Sequence, residues 1–129
     1  MLEILLIIFT IHAEAGNQSM SGKIGVYCVI RNRYNTGKYT NYMEIVLEPK
    51  QFSCYNNPHI IYAYWKTFNY RSILDGLQVI ATNKDITNGA TYYATKEIKR
   101  RYHGKLTVRI GNHKFYKEKI WQYKSTGLH

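Results

Sequence analysis

Apolar residues dominate the start of the chain, where the sequence reads LEILLIIFTI from Leu2 to Ile11. This run predicts a helix from Leu2 to Ala15 that is buried on nearly all sides, and Gly16-Asn17 is expected to end it. A second helix is predicted from about Ser21 through GKIGVYCVIRNRY, because its apolar residues recur at helical spacing. Asn35-Thr36-Gly37 should end that helix.

The middle of the chain predicts three further helices separated by polar loops. A short helix is expected from Asn41 to Leu47, and Pro49 closes it because proline cannot continue a helix. Pro58 is a favoured first-turn residue, so a longer helix should begin there and run through HIIYAYWKTF. Another helix is expected from Ser72 to Ala81.

The hydrophobic period then changes from helical spacing to alternation. The segment ATYYAT, residues 90–95, alternates like a short strand, and LTVRIGNHKFYKE, residues 106–118, predicts two strands around Gly111-Asn112. Helices followed by a hairpin predict an α+β fold, with a mainly helical body and a small antiparallel β-sheet or hairpin toward the C-terminus. We find no linker or repeat, and expect one domain over residues 1–129.

Charge and composition restrict the classes of partner. Lys and Arg number 18 against 8 Asp and Glu, which gives a formal charge of +10 that favours polyanions. Thirteen tyrosines suit a surface that holds sugars or bases. Cys28 and Cys54 are expected to be reduced. The apolar run lacks a basic leader and is shorter than the roughly 20 residues of a membrane span, so neither a signal peptide nor a span is expected.

Glu14, in the stretch HAEAGNQ, is the candidate catalytic acid among the eight acidic residues. It follows an apolar helix and has Ala on both sides, and burial beside apolar groups would raise its pKa, as a general acid requires. The alternative is a helix-end Glu that bonds to a loop. Gln18, four residues later, is a candidate ligand for a sugar hydroxyl or a water, or else a turn residue.

Two further segments mix amides, hydroxyls and aromatic rings, as carbohydrate sites do. The first is QFSCYNN, which contains Gln51, Phe52, Ser53 and Tyr55; alternatively it is an ordinary loop with Phe52 in the core. The second is NGATYYAT, in which Tyr92 and Tyr93 should lie on opposite sides of a strand.

Other kinds of site are not indicated. The sequence contains no phosphate-binding glycine loop and no nucleophile elbow, and its histidines are not spaced as metal ligands are. We therefore expect no metal and no cofactor. The densest basic run, Lys96 to Lys105, is either a solvated face or a patch for a polyanion.

Four segments together resemble the SleB-type cell wall hydrolase family, which includes spore cortex-lytic enzymes and phage endolysins. These segments are HAEAGNQSMSGKIGVYCVIRNR, EPKQFSCYNN, TNGATYYAT and RIGNHKFYK, in that order along the chain. The resemblance implies a lysozyme-like catalytic domain that cuts peptidoglycan, with Glu14 as the catalytic residue. Gln51, Phe52 and Ser53 would border the cleft, and Tyr92 and Tyr93 would form part of its opposite wall. Gln18 stands where the family commonly has a second Glu.

The resemblance therefore implies cleavage of the MurNAc–GlcNAc β-1,4 bond, most simply as a lytic transglycosylase with one catalytic Glu. A hydrolytic muramidase or glucosaminidase that activates a water is the alternative. A non-catalytic basic protein that binds walls or nucleic acid is a more distant one. We expect a monomer that acts on peptidoglycan glycan strands, with anionic wall polymers as further partners and nucleic acid not expected. A phage endolysin is expected, held in the cytoplasm of the infected bacterium until it is released to the wall.

Overall fold

The structure is a computed structural model that describes residues 2–48, 52–95 and 104–118. Within these residues, helices come first and strands last. The helices are α1 Leu2–Ala15, α2 Met20–Asn35, α3 Tyr42–Val46, α4 Pro58–Thr67 and α5 Tyr70–Ile80, with a 3-10 turn at Ser53–Tyr55; the strands are β1 Tyr92–Thr95, β2 Gly104–Ile110 and β3 His113–Glu118. The predicted α+β architecture is confirmed.

Helix α1 forms the centre of the helical body. It contacts α2, α3, α4 and α5, and its residues 7–11 are all buried. The prediction that the whole helix is buried on nearly all sides is wrong for its first turns, where Leu2 is 66% exposed and Ile4 and Leu5 are each 43% exposed. Burial increases toward the C-terminal end, so the end that carries Glu14 is held in the core.

Capping side chains set two helix starts that the hydrophobic pattern placed later. Ser19 accepts a hydrogen bond from the Gly22 amide, so α2 begins at Met20 rather than near Ser21. Asn69 caps α5 through a capping box with Ser72, and the helix therefore begins at Tyr70 rather than Ser72.

The three strands form an antiparallel sheet in the order β1-β3-β2. Gly111, with a φ of 57°, makes the predicted hairpin turn between β2 and β3. The sheet packs on α2, where Phe115 and Val29 share a buried cluster. A Cβ at Gly25 of α2 would lie 2.6 Å from the Phe115 ring, so this close approach requires glycine.

Asp85 organises the loop that leads into β1. Its carboxylate accepts hydrogen bonds from the Thr87 amide at 2.8 Å, the Gly89 amide at 2.9 Å and the Asn32 side chain of α2 at 3.0 Å. Burial by itself would raise the pKa of Asp85, but these donors outweigh it and lower the pKa. The loop is thereby fixed to α2, and the start of β1 is fixed with it.

Both cysteines are buried and neither forms a disulfide. Across the described residues, we find no helix that combines the length and the apolar character needed to span a bilayer.

Candidate active site

Glu14 lies one residue before the end of α1, and three donors converge on its carboxylate. The Cys54 backbone amide donates to Oε2 at 3.1 Å, and the Ser53 hydroxyl donates to the same oxygen at 3.2 Å. The Tyr93 hydroxyl donates to Oε1 at 2.5 Å. Donors on both oxygens fix the position and orientation of the carboxyl group.

The loop after residue 51 supplies two of these donors because its apolar side chains point inward. Phe52 and Cys54 are 1% and 0% exposed and belong to the same core cluster as Phe9 and Ala13. Between them, Ser53 begins the 3-10 turn and remains exposed. Burying the flanking residues therefore turns the Ser53 hydroxyl and the Cys54 amide toward α1.

Strand β1 supplies the third donor. The Tyr93 ring packs between Phe52 at 6.2 Å and His113 at 4.8 Å, centroid to centroid. Burial, and then the neighbouring Glu14 carboxylate, raise the pKa of Tyr93 well above its usual value. The hydroxyl therefore keeps its proton and acts as a donor to Glu14.

Glu14 lines a cavity of about 500 Å³ between the helical body and the sheet. Helix α4 contributes Tyr64 and Thr67 to one part of the lining, with His12 of α1 beside them. The turn after α1 and the β2–β3 hairpin contribute amide side chains and His113. The complete described lining is His12, Ala13, Glu14, Gly16, Asn17, Gln18, Tyr64, Thr67, Thr95, Asn112 and His113.

Two histidines of this lining are held in their neutral form by burial. Burial lowers the pKa of His12, and its Nε2 lies 2.8 Å from the Thr67 hydroxyl. Burial also lowers the pKa of His113, although the Glu14 charge acts in the opposite direction. His113 is 4% exposed and its Nδ1 has no hydrogen-bond partner among the described residues.

Gln18 joins the turn after α1 to the hairpin. Its Oε1 accepts from the Asn112 amide at 3.4 Å, and its Nε2 donates to the Asn17 side chain at 3.3 Å. Gln18 therefore lines the cavity with Glu14, as the sequence suggested, and also connects two walls of it.

Some of the other predicted site residues contact the Glu14 carboxylate, and others are directed toward the core. Ser53 and Tyr93 contact Glu14, whereas Phe52 lies behind them in the core. Tyr55 also turns away from the cavity, because its hydroxyl lies 2.6 Å from Thr10 Oγ1.

Tyr92 is on the opposite side of β1 from Tyr93, as predicted. The Arg33 guanidinium lies 4.4 Å from its ring centre, and burial raises the pKa of Tyr92 to about 12. Neither Phe52, Tyr55 nor Tyr92 belongs to the described lining of the cavity. Gln51, the remaining predicted residue, is outside the described residues, as is most of the basic run from Lys96.

Sequence reasoning missed the residues that the fold brings to Glu14 from distant positions. Tyr64 and Thr67 are three apart on α4, and that spacing was the only available signal that they share a face. Asn112 and His113 come from the hairpin. Among the described residues, no group of three His, Cys, Asp or Glu is arranged to hold a metal ion.

Comparisons with known proteins concern the family and the fold. The sequence model of the family described as "Cell Wall Hydrolase" matches residues 17–116, a region that begins just after Glu14. The fold is similar to the catalytic domain of the Bacillus cereus SleB protein, with a TM-score of 0.69 and 22% identity over 89% of each chain. It is also similar to the catalytic domain of a germination-specific lytic transglycosylase, SleB from Bacillus anthracis. There the TM-score is 0.70 and the identity 22%, over 89% of this chain and 93% of that one. No curated protein sequence matches the chain.

Proposed function

Because the chain belongs to the cell wall hydrolase family, we propose that it degrades peptidoglycan by cleaving the MurNAc–GlcNAc β-1,4 bond as a lytic transglycosylase. One observation carries this proposal. Glu14 is the single carboxylate in the described lining of the 500 Å³ cavity, and donors from two other segments hold it in place. A reaction that needs only one carboxyl group fits this lining best.

In the proposed reaction, Glu14 acts first as an acid and then as a base. The protonated carboxyl gives its proton to the glycosidic oxygen, the C1–O bond of MurNAc breaks, and GlcNAc leaves with a free 4-hydroxyl. The 6-hydroxyl of the same MurNAc then bonds to C1, and its proton returns to Glu14. The products are a 1,6-anhydro-muramic acid end and an unmodified enzyme, so no water is consumed.

The fixed position of the Glu14 carboxyl supports the proposal because a group that transfers protons must be held in place. A general acid must lie within hydrogen-bond reach of the oxygen that it protonates, and a side chain with two oriented oxygens loses little freedom on binding substrate. The amide and aromatic side chains around it suit the acetamido groups, hydroxyls and ring faces of a glycan strand.

Hydrolysis is the second candidate, and it requires a different arrangement. Most glycoside hydrolases use two carboxyl groups about 5–9.5 Å apart. Asp75 lines a second, smaller cavity that adjoins the one at Glu14, but it is paired with Lys23 at 3.0 Å. Its carboxylate is therefore engaged by Lys23 in a different cavity from Glu14, and the one-carboxyl reaction is preferred.

Product analysis tests the choice between the two reactions. Purified walls are digested with the enzyme, and the soluble fragments are analysed by mass spectrometry with and without borohydride reduction. Transglycosylation gives 1,6-anhydro ends, which borohydride does not reduce. Reducing muramic acid ends would refute transglycosylation, and reducing glucosamine ends would also refute the proposed bond.

The charge of +10 supports a further part of the proposal, namely that anionic wall polymers concentrate the enzyme on its substrate. Wall binding should then weaken as salt rises, because at 0.1 M ions screen the attraction between charges more than about 10 Å apart.

We propose that the protein acts as a phage endolysin that reaches the wall from inside an infected bacterium. Lysis on expression inside bacteria should require a second protein that permeabilises the membrane.

A further inference from the structure

A second cavity, of about 210 Å³, adjoins the one that contains Glu14. The two cavities share three lining residues, His12, Gly16 and Thr67, which form the boundary between them. The hydrogen bond between His12 Nε2 and the Thr67 hydroxyl crosses this boundary at 2.8 Å. A ligand that fills the first cavity therefore reaches the second by extending past this pair.

The charged side chains of the second cavity come from α2 and α5. Lys23 of α2 pairs with Asp75 of α5 at 3.0 Å, so these two charges offset each other. Arg71 of α5 also lines the cavity and has no ion pair among the described residues; its Nε lies 3.4 Å from the Tyr70 hydroxyl. Because His12 is neutral, the lining carries two cations and one anion, a net charge of +1.

The positive charge of Arg71 favours an anionic ligand. The donors offered to that ligand belong to the Arg71 side chain and not to the backbone amides at the start of α5. Arg71 is in the first turn of α5, but the Asn69 side chain already accepts from the Arg71 and Ser72 amides at 2.9 and 3.3 Å. The guanidinium is exposed, and its two terminal nitrogens donate to none of the described residues. Its planar pair of N–H groups matches the two oxygens of a carboxylate.

We propose that this second cavity binds a carboxylate carried by the muramic acid of the glycan strand at Glu14, with Arg71 as the main contact. The inference rests on the proposed function, and it adds recognition of the substituent on the sugar. Muramic acid carries a lactyl group whose carboxyl is either free or extended into a peptide with further carboxylates. This substituent is the anionic part of the strand beside the bond to be cleaved.

The site would thus make the enzyme selective for strands that retain charged substituents. A strand whose muramic acid has lost this charge would still reach Glu14 but would bind more weakly. Because the interaction is between exposed charges, its expected effect is modest, about two- to fivefold in affinity.

The test compares two arginine variants on intact walls. Arg71→Gln is measured against Arg109→Gln, which removes the same charge from an exposed position on β2 that lines neither cavity. The half-saturating wall concentration and the maximal rate of turbidity loss are measured for both variants and for the wild type. We expect the half-saturating concentration to rise about two- to fivefold in Arg71→Gln alone, at an unchanged maximal rate.

Chemically altered walls separate recognition from structure. When wall carboxyls are converted to amides with a carbodiimide and ammonia, the difference between the two variants should disappear. Soluble glycan strands freed of peptides by an amidase, with cleavage followed by chromatography of the products, identify the source. Arg71→Gln still raises the half-saturating concentration if Arg71 contacts the lactyl carboxylate, and no longer does so if it contacts the peptide. Equal behaviour of the two variants on intact walls, or a difference that survives amidation, would overturn the proposal.

The design also separates failure of this inference from failure of the proposed function. Binding is measured independently by sedimentation of the catalytically blocked Glu14→Gln protein with walls, with and without Arg71→Gln. If the proposed chemistry is incorrect, Glu14→Gln retains lytic activity, whereas the effect of Arg71→Gln on sedimentation can still be measured. If only the inference is incorrect, Glu14→Gln is inactive and Arg71→Gln binds walls as Arg109→Gln does.

Discussion

Replacing Glu14 with Gln should abolish wall lysis and leave the fold intact. The amide has nearly the shape of the carboxyl group but cannot deliver a proton to the glycosidic oxygen. Loss of a general acid typically costs about 10²–10⁴-fold in rate. We expect a loss in this range in the initial rate of turbidity decrease of purified walls, with little change in the amount of enzyme that sediments with them.

The three hydrogen bonds at Glu14 explain why the fold should tolerate this change. A Gln side chain can keep its oxygen toward the Ser53 hydroxyl and the Cys54 amide. Its amide nitrogen then faces Tyr93, whose hydroxyl rotates from donor to acceptor. Every group keeps a partner, so the free energy of unfolding should change by less than about 1 kcal/mol.

Glu14→Ala is the contrasting variant, because it leaves the amide of the buried Cys54 without an acceptor. A buried donor without a partner costs about 1–3 kcal/mol, so this variant should lose both activity and stability in urea unfolding. If Glu14→Gln lysed walls at the wild-type rate, Glu14 would not be the acid. If both variants were equally destabilised, the account of the hydrogen bonds would be wrong.

Three further changes test other contacts of the site and core. Tyr93→Phe keeps the ring but removes the hydroxyl that orients Glu14, so the maximal lytic rate should fall about tenfold with little change in wall binding. Gly25→Ala places a Cβ against Phe115 and should lower the free energy of unfolding by about 1–3 kcal/mol in urea titrations. Burial lowers the pKa of His113 and of His12 below the ordinary 6.5, so only the unfolded chain gains these protons near that pH. Stability should therefore fall as the pH drops below 6.5, and His113→Phe should reduce the slope.

Each of these expectations has a control. Wild-type activity in Tyr93→Phe would show that the hydroxyl does not position the acid. Phe115→Leu makes room for a Cβ, so Gly25→Ala should cost less in that background; an unchanged cost would refute the steric explanation. An acid slope that is the same with and without His113 would show that its titration is not linked to folding.

The sequence was sufficient for the order and type of the elements, because long apolar periodicities and strong stop signals determine them. Helix α1 ends at Ala15 as the following Gly16-Asn17 indicates, and the hairpin turns at Gly111. The start of α5 was placed too late because Asn69 caps that helix from outside its apolar pattern.

The site was harder to predict because its members come from separate elements. Nothing in the local pattern around Tyr64 or His113 shows that they share a cavity with Glu14. Which side chains of a loop point into the core and which point into the cavity also depends on tertiary packing. In the loop after residue 51, the aromatic side chains of Phe52 and Tyr55 are of the kind found in sugar sites. Phe52 is instead buried in the core, and the Tyr55 hydroxyl is hydrogen-bonded to Thr10.

The contacts of Glu14 are separated by long stretches of chain: Cys54 lies 40 residues away and Tyr93 lies 79 residues away. No helix pair or hairpin alone can assemble the carboxyl group with its donors, so this arrangement exists only after α1, the loop after residue 51 and β1 have folded together. Lytic activity should therefore report on global folding and disappear at the same urea concentration as the helical circular dichroism signal. A growing or truncated chain that lacks β1 would lack the Tyr93 hydroxyl at Glu14 and should degrade peptidoglycan poorly.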